Sequence, residues 1–245
     1  VVVISGDLTQ RAKVEEFEEA RAFLDSLPGP QIIVPGNHDI SLYNVFRRFM
    51  RPLARYKRYI TDELEPAFID DEIAVVGVNT ARSLTIKDGR ISHEQVAGLR
   101  ERLAGLGPEV TRIVVTHHPF DLPEHFEKRD LVVRAPMAME VFAETGVDIL
   151  MAGHMHASHA GSTAARYQIS EYAALVIQAG TATSTRGRGE VNSFNVIRVE
   201  PLRVEIDRYG WDVVGGRFEL VSTEKFVRAG AIWSPHSDGM LAAGL

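Results

Sequence analysis

Residues 31–39 read QIIVPGNHD: a short β-branched run that stops at Pro-Gly and then presents an amide, an imidazole and a carboxylate in three successive positions. Such a run predicts a strand that ends in a polar loop, and the glycine lets the backbone approach closely whatever the loop faces. The same pattern recurs three times. Residues 1–7 read VVVISGD, residues 112–119 RIVVTHHP and residues 148–156 DILMAGHMH. Four apolar strands thus pass polar groups to loops at their C-terminal ends, where open α/β sheets place their ligand sites. Five of the nine histidines fall in these loops, whereas histidines used as core filler would be scattered among apolar positions. In GHMH, residues two apart in an extended segment point the same way, so both imidazoles can face one site.

Between these motifs, Val14, Phe17, Ala20, Leu24 and Leu27 recur at helical spacing among charged residues, predicting a surface helix over 11–27 that LPGP ends. Residues 43–60 are aromatic and basic and read as partly helical, and residues 73–78 (IAVVGV) read as a strand. Ser92 with Gln95 forms a capping-box pattern that opens a helix through about Leu103, closed by GLGP. From residue 172 the pattern is mostly strands: YAALVIQAG, NSFNVIRVE, LRVEIDRYG and RFELVS. Early alternation of strand and helix followed by late hairpins predicts two packed sheets with helices outside. No repeat or linker interrupts the chain. One domain is expected over 1–228, with a Gly/Ala/Ser-rich tail over 229–245 that would be a loose end or a contact in a homo-oligomer.

At 245 residues and 45% hydrophobic, the chain can bury a substantial core. Its net charge of -6 and dispersed 27 Lys+Arg disfavour a nucleic-acid polymer as partner. The absence of cysteine excludes disulfides and thiolate metal sites and suits a cytoplasmic protein. No apolar run approaches the ~20 residues that span a bilayer, so no membrane partner is expected. One Asp, one Asn and three His form an N and O ligand set suited to transition metals rather than to Ca. A carboxylate can bridge two such cations, and a pair about 3.5–4 Å apart clamps a phosphoryl group for in-line displacement.

The order GD, GNHD, H-x-P, GHxH resembles the calcineurin-like metallophosphoesterase superfamily over residues 1 to about 200. GDLT, the HHP form of the third motif and GTATSTRGRGE with NSFN are most similar to its bacterial cyclic-nucleotide and glycerophosphodiester phosphodiesterase branch. The resemblance implies two mixed β-sheets packed face to face with helices on both outer faces, here with the first strand missing. It implies two divalent transition metal ions (Mn, Fe or Zn) bridged by Asp7, with Asn37, His117 and His154 completing the second site and His156 in the first. His38 would be the outer-sphere catalytic histidine, holding the phosphate or protonating the leaving oxygen. The implied reaction is hydrolysis of a small organic phosphate diester by in-line attack of a metal-bound hydroxide.

Two departures qualify the likeness. The family's Asp-x-His element occurs nowhere in the chain, so the expectation is a sequence lacking the first strand, its loop and the first helix. Asp7 and His156 alone would hold the first metal, leaving one ion well held and the other weak or absent, beside an exposed strand edge. Gln10 stands where the protein phosphatase branch has an Asp that orients the catalytic histidine, and Gln lacks the charge that raises a histidine's proton affinity. GNHD in place of GNHE also argues against that branch, and no Tyr stands in the GD motif as in purple acid phosphatases. The rivals are a DNA-repair-type nuclease, disfavoured by the acidic balance, and a non-catalytic metal-stabilised scaffold. His118 is the alternative to His117 as a ligand, and Asp39 reads as a turn-forming residue behind the ligands. His93, His125, His159 and His236 read as surface residues, and Arg186 and Arg188 as solvated loop residues rather than phosphate guides. Tyr43, Phe46, Phe49, Tyr56, Phe120 and Phe126 read as core rather than as cover for a substrate base.

Overall fold

The computed structural model describes residues 1–41, 45–83, 88–123, 130–184 and 190–236. Tyr43, His125, Phe126, Arg186, Arg188 and the side chain of Phe46 lie outside the described residues. In chain order the strands are β1 (Val2–Ile4), β2 (Gln31–Ile33), β3 (Ala67–Ile69), β4 (Ile73–Gly77), β5 (Thr111–Val115), β6 (Ile149–Ala152) and β7 (His159–Ser162). They continue as β8 (Tyr172–Ala173), β9 (Leu175–Gln178), β10 (Ser193–Glu200), β11 (Arg203–Asp212), β12 (Arg217–Ala229) and β13 (Ala231–Pro235). The helices are α1 (Val14–Ser26), α2 (Val45–Met50), α3 (Ala54–Tyr59), α4 (His93–Ala104) and α5 (Ala135–Thr145).

A six-stranded sheet runs β3-β4-β5-β6-β9-β7, with β4, β5, β6 and β9 parallel and antiparallel strands at both edges. Its central strands are buried on both faces, which is why they read as nearly unbroken Val, Ile and Leu. The period of two divides them between two cores. Val76, Val114, Leu150 and Val176 pack against Leu99 and Leu103 of α4 and Met139 and Phe142 of α5. Their neighbours Val75, Ile113, Ile149 and Ile177 face Val204, Ile206, Phe226 and Trp233 of the second sheet. That sheet, β10-β11-β12-β13-β8, is antiparallel except for the parallel pair β13-β8. The expected architecture of two mixed sheets packed face to face is therefore present. The helical cover expected on both outer faces is described on one of them, because the outward side chains Phe194, Trp211 and Leu220 of the five-stranded sheet are left partly exposed.

Strands β1 and β2 form a separate parallel pair, and a third core joins Ile33 to Phe17 and Leu24 of α1 and to Tyr56 of α3. The other edge of β1 has no strand partner among the described residues. The helix predicted over 11–27 begins at Val14, where Glu16 Oε2 accepts from the N–H groups of Arg11 and Lys13. The Ser92/Gln95 capping box forms as read, with Ser92 N donating to Gln95 Oε1 at 3.0 Å and Gln95 N to Ser92 Oγ at 3.1 Å.

Two expectations are corrected. The run YAALVIQ is not one strand: it breaks at Ala174 into β8 and β9, which belong to different sheets. The boundary at 229 also fails, since the tail expected there opens with β13, paired to both β12 and β8. Small residues suggested a loose end, but Trp233 anchors the strand. It is 1% exposed, and its Nε1 donates to Asp148 Oδ1 at 3.1 Å.

Candidate metal centre

All four motif loops leave their strands at one end of the molecule. Asp7 follows β1, Asn37–Asp39 forms a 3-10 turn after β2, His117 and His118 follow β5, and His154 and His156 follow β6. The loops approach so closely that glycine is required. A Cβ on Gly36 would collide with the Asp7 carboxylate, and one on Gly6, at φ 93°, would lie 2.7 Å from His117 Nδ1. Three of the six described non-glycine residues with positive φ are Asp7 (57°), His154 (69°) and His156 (58°). Backbone strain therefore concentrates on the residues expected to bind metal, as it does where geometry is fixed for function.

The side chains converge on acceptor atoms. His117 Nε2 lies 3.0 Å from Asn37 Oδ1, 3.1 Å from His154 Nδ1 and 3.4 Å from Asp7 Oδ1, and His154 Nδ1 lies 3.1 Å from Asn37 Oδ1. His117 Nδ1 is 2.7 Å from the Ser5 carbonyl, which can only accept, so its proton resides there and Nε2 turns a lone pair toward the cluster. Lone pairs of His117, Asn37 and Asp7 thus face one another, and at most one proton on His154 Nδ1 stands among them. A cation at their centre satisfies all four. The separations suit it: bonds of ~2.0–2.1 Å to N and O ligands put neighbouring ligand atoms about 3.0–3.4 Å apart.

Electrostatics agree. Burial, then neighbouring His117, push the His154 pKa down to about 3, so its ring is neutral and available as a ligand at ordinary pH. Asn37 and His117 are themselves buried, at 7% and 1% exposure.

Asp39 takes the turn role expected of it. Its carboxylate accepts from the N–H groups of Gly36 and Thr9 at 2.9 Å, from Thr9 Oγ1 at 3.0 Å and from Leu8 N at 3.3 Å. It therefore ties the GD loop to the GNHD loop behind the ligands. Burial first, then the Asp7 carboxylate, push its pKa up to about 7 against those donors.

His118, the alternative ligand, stays beside the site: its Nδ1 lies 2.9 Å from Thr80 Oγ1, its ring packs 4.6 Å from that of His154, and its ligand atom lies with those of His117 and His154 in a group spanning no more than 4.8 Å. His38 is half-buried, with its backbone N–H on Asp7 Oδ1 at 3.0 Å and Nδ1 donating to the Gln10 carbonyl at 2.9 Å. Position 10 does orient His38, through the main chain rather than the side chain. His156 lies in a different contact, with Nδ1 2.9 Å from Thr181 Oγ1.

Thr181, Thr80 and the carbonyls of Ser5 and Gln10 are the residues that sequence reasoning missed. Thr181 stands just past β9, at the same end as the other loops, which was a usable signal; a carbonyl carries none. Of the remaining readings, Phe120 packs on Phe142 in the core and Tyr56 is fully buried, while Phe49 is 52% exposed rather than core. His93 and His236 are exposed and His159 is half-buried in β7.

A family model described as calcineurin-like phosphoesterase matches residues 1–158. A glycerophosphodiester phosphodiesterase from Enterobacter lignolyticus is 28% identical over 121 residues, covering 49% of this chain and 42% of that protein. The matched region thus spans less than half of the relative's length. Among solved structures, a dimetal phosphatase from Danio rerio superposes with a TM-score of 0.61 at 15% identity, over 85% of this chain and 80% of the other. GAP50, described as the anchor in the inner membrane complex of Plasmodium, superposes with a TM-score of 0.56 at 12% identity, over 91% of this chain and 77% of the other. At such identities both likenesses concern the fold.

Proposed function

We propose that this chain, which belongs to the calcineurin-like phosphoesterase family, hydrolyses a phosphate diester of a small organic molecule with the help of divalent transition metal ions. The observation that carries this reading is the convergence of Asp7, Asn37, His117 and His154 on facing lone pairs. Those four residues would hold one ion, and Asp7 with His156 would contribute to a second. When bound, such cations acidify a water and neutralise charge on the phosphorus oxygens.

The chain's own groups do the rest. His117 is locked in one tautomer by the Ser5 carbonyl, and Asp39 fixes the two loops that carry Asp7 and Asn37, so the ligand set is preorganised. His38, whose Nδ1 proton is held by the Gln10 carbonyl, offers Nε2 to the substrate, where a proton borne on it can pass to the departing alkoxide. The diester preference is supported by the glycerophosphodiester phosphodiesterase relative. The metals are proposed as Mn, Fe or Zn from the N and O donor set.

The test compares the chain on bis(p-nitrophenyl) phosphate and p-nitrophenyl phosphate after loading with Mn or Zn. The diester should turn over faster, and Asn37→Ala should abolish both reactions. A preference for the monoester would overturn the substrate class, and activity surviving in Asn37→Ala would overturn the site.

A further inference from the structure

The hairpin β11–β12 is much longer than the core it serves. Its core residues, Val204, Ile206 and Phe226, all lie in the half nearest the β10–β11 turn. Among the described residues, the other half, from Tyr209 to Val221, contributes nothing to a core cluster.

That half is nonetheless apolar. On its outward face, register aligns Phe194, Tyr209 and Leu220 in one cross-strand row and Trp211 with Phe218 in the next. The rings pack on one another, Phe194 on Tyr209 at 5.2 Å, Phe194 on Phe218 at 5.0 Å and Trp211 on Phe218 at 5.1 Å. Phe194 and Trp211 are each 37% exposed and Leu220 is 53% exposed. The tip carries Val213 and Val214 at 77% and 97% exposure. On the inward face Val191 and Val221 stand over Gly210, again exposed. The hairpin is an arm with apolar side chains on both faces and at its end.

We propose that this arm is a self-association surface that docks on a second copy of this chain. Its outward rows and tip leave on the order of 500 Å² of apolar surface exposed, at the upper end for a monomer and most of the ~800 Å² that one partner brings to a standard interface. The charges beside it are already neutralised within the chain: Arg208 pairs with Glu190 at 2.8 Å, Arg217 with Glu219 at 2.7 Å, and Arg198 with Asp207 at 2.6 Å. The arm therefore offers no basic excess to an anionic lipid surface, and two identical arms meet without like-charge repulsion. A row of rings on an antiparallel ribbon can pack on its own copy about a two-fold axis, the arrangement of an isologous contact. The proposal stands apart from the phosphodiesterase reading.

Sedimentation at roughly 100 µM, where even a micromolar contact is saturated, tests it. The wild-type chain should sediment at twice its 27.1 kDa mass. Trp211→Glu with Phe218→Glu should return the monomer mass while leaving the bound metal unchanged. Should that pair of changes impair folding, Val213→Asp with Val214→Asp, at the exposed tip, should weaken the dimer at least tenfold. A monomeric wild type overturns the proposal, as does a dimer indifferent to both double variants. A wild type that is monomeric but floats with phosphatidylcholine vesicles would reassign the arm to a lipid surface.

Discussion

The junction of Asn37, His117 and His154 is where single side chains decide the chemistry. His117→Ala should remove the metal and at least ~10²-fold of turnover together, because the ligand and its fixed tautomer disappear at once. His38→Ala should behave differently, keeping the metal while turnover on a poor leaving group falls by roughly 10²-fold, the usual contribution of a general acid. Gln10→Ala should change neither, since the acceptor for His38 is a backbone carbonyl that any residue supplies. A large loss in Gln10→Ala would show that the side chain, not the main chain, orients His38. Thr181→Val should weaken metal binding about tenfold if the hydroxyl aligns His156. Proton linkage belongs to this scale as well. His154 has a folded pKa of about 3 against an ordinary 6.5, so the metal-free fold binds fewer protons than the unfolded chain between those values. Its contribution to stability is present above pH 6.5 and is lost as pH falls toward 3. Thermal unfolding of chelated protein should show that decline, and His154→Gln should flatten it.

Among the elements, loops do the positioning and strands carry them. Asp39 joins the loops after β1 and β2, and a second clamp holds the loop after β5. There Arg166 bonds Asp121 and the Leu122 carbonyl, and Tyr167 Oη donates to the Phe120 carbonyl at 2.7 Å. The Arg166–Asp121 pair is largely buried, so Arg166→Leu strands a carboxylate and should cost about 3 kcal/mol in urea unfolding. The double change Asp121→Leu with Arg166→Leu should cost less; an equal or greater loss would mean that packing, not charge, dominates. The elements that frame the site were legible because their apolar runs end abruptly in polar residues. Those that were missed lack contrast. Helix α5 buries Ala135, Ala138, Met139, Val141 and Phe142 and exposes only Glu140 and Glu144 as charged residues, a polar face too thin to mark the period against its apolar surroundings. Strand β13 hides among small residues, and β8 passes into β9 through Ala174 with no turn signal at all. Hydrogen bonds to carbonyls and a change of sheet in mid-run are tertiary facts that no local pattern encodes.

For the whole molecule, the six-stranded sheet and the separate β1–β2 pair carry four loops to one end, and the outer half of the β11–β12 hairpin is the part the described core clusters do not use. The family's complete site draws on an Asp-x-His element that this sequence does not contain, whereas the set of Asp7, Asn37, His117 and His154 is formed within the chain. The central claim is that this set is a metal site. Elemental analysis of bound Mn, Fe and Zn per chain, on protein purified without chelator, tests it most directly. At least one ion per wild-type chain is predicted, and it should be lost in both Asn37→Ala and His117→Ala. A wild-type chain without stoichiometric metal, or an ion that persists in both variants, would contradict the account.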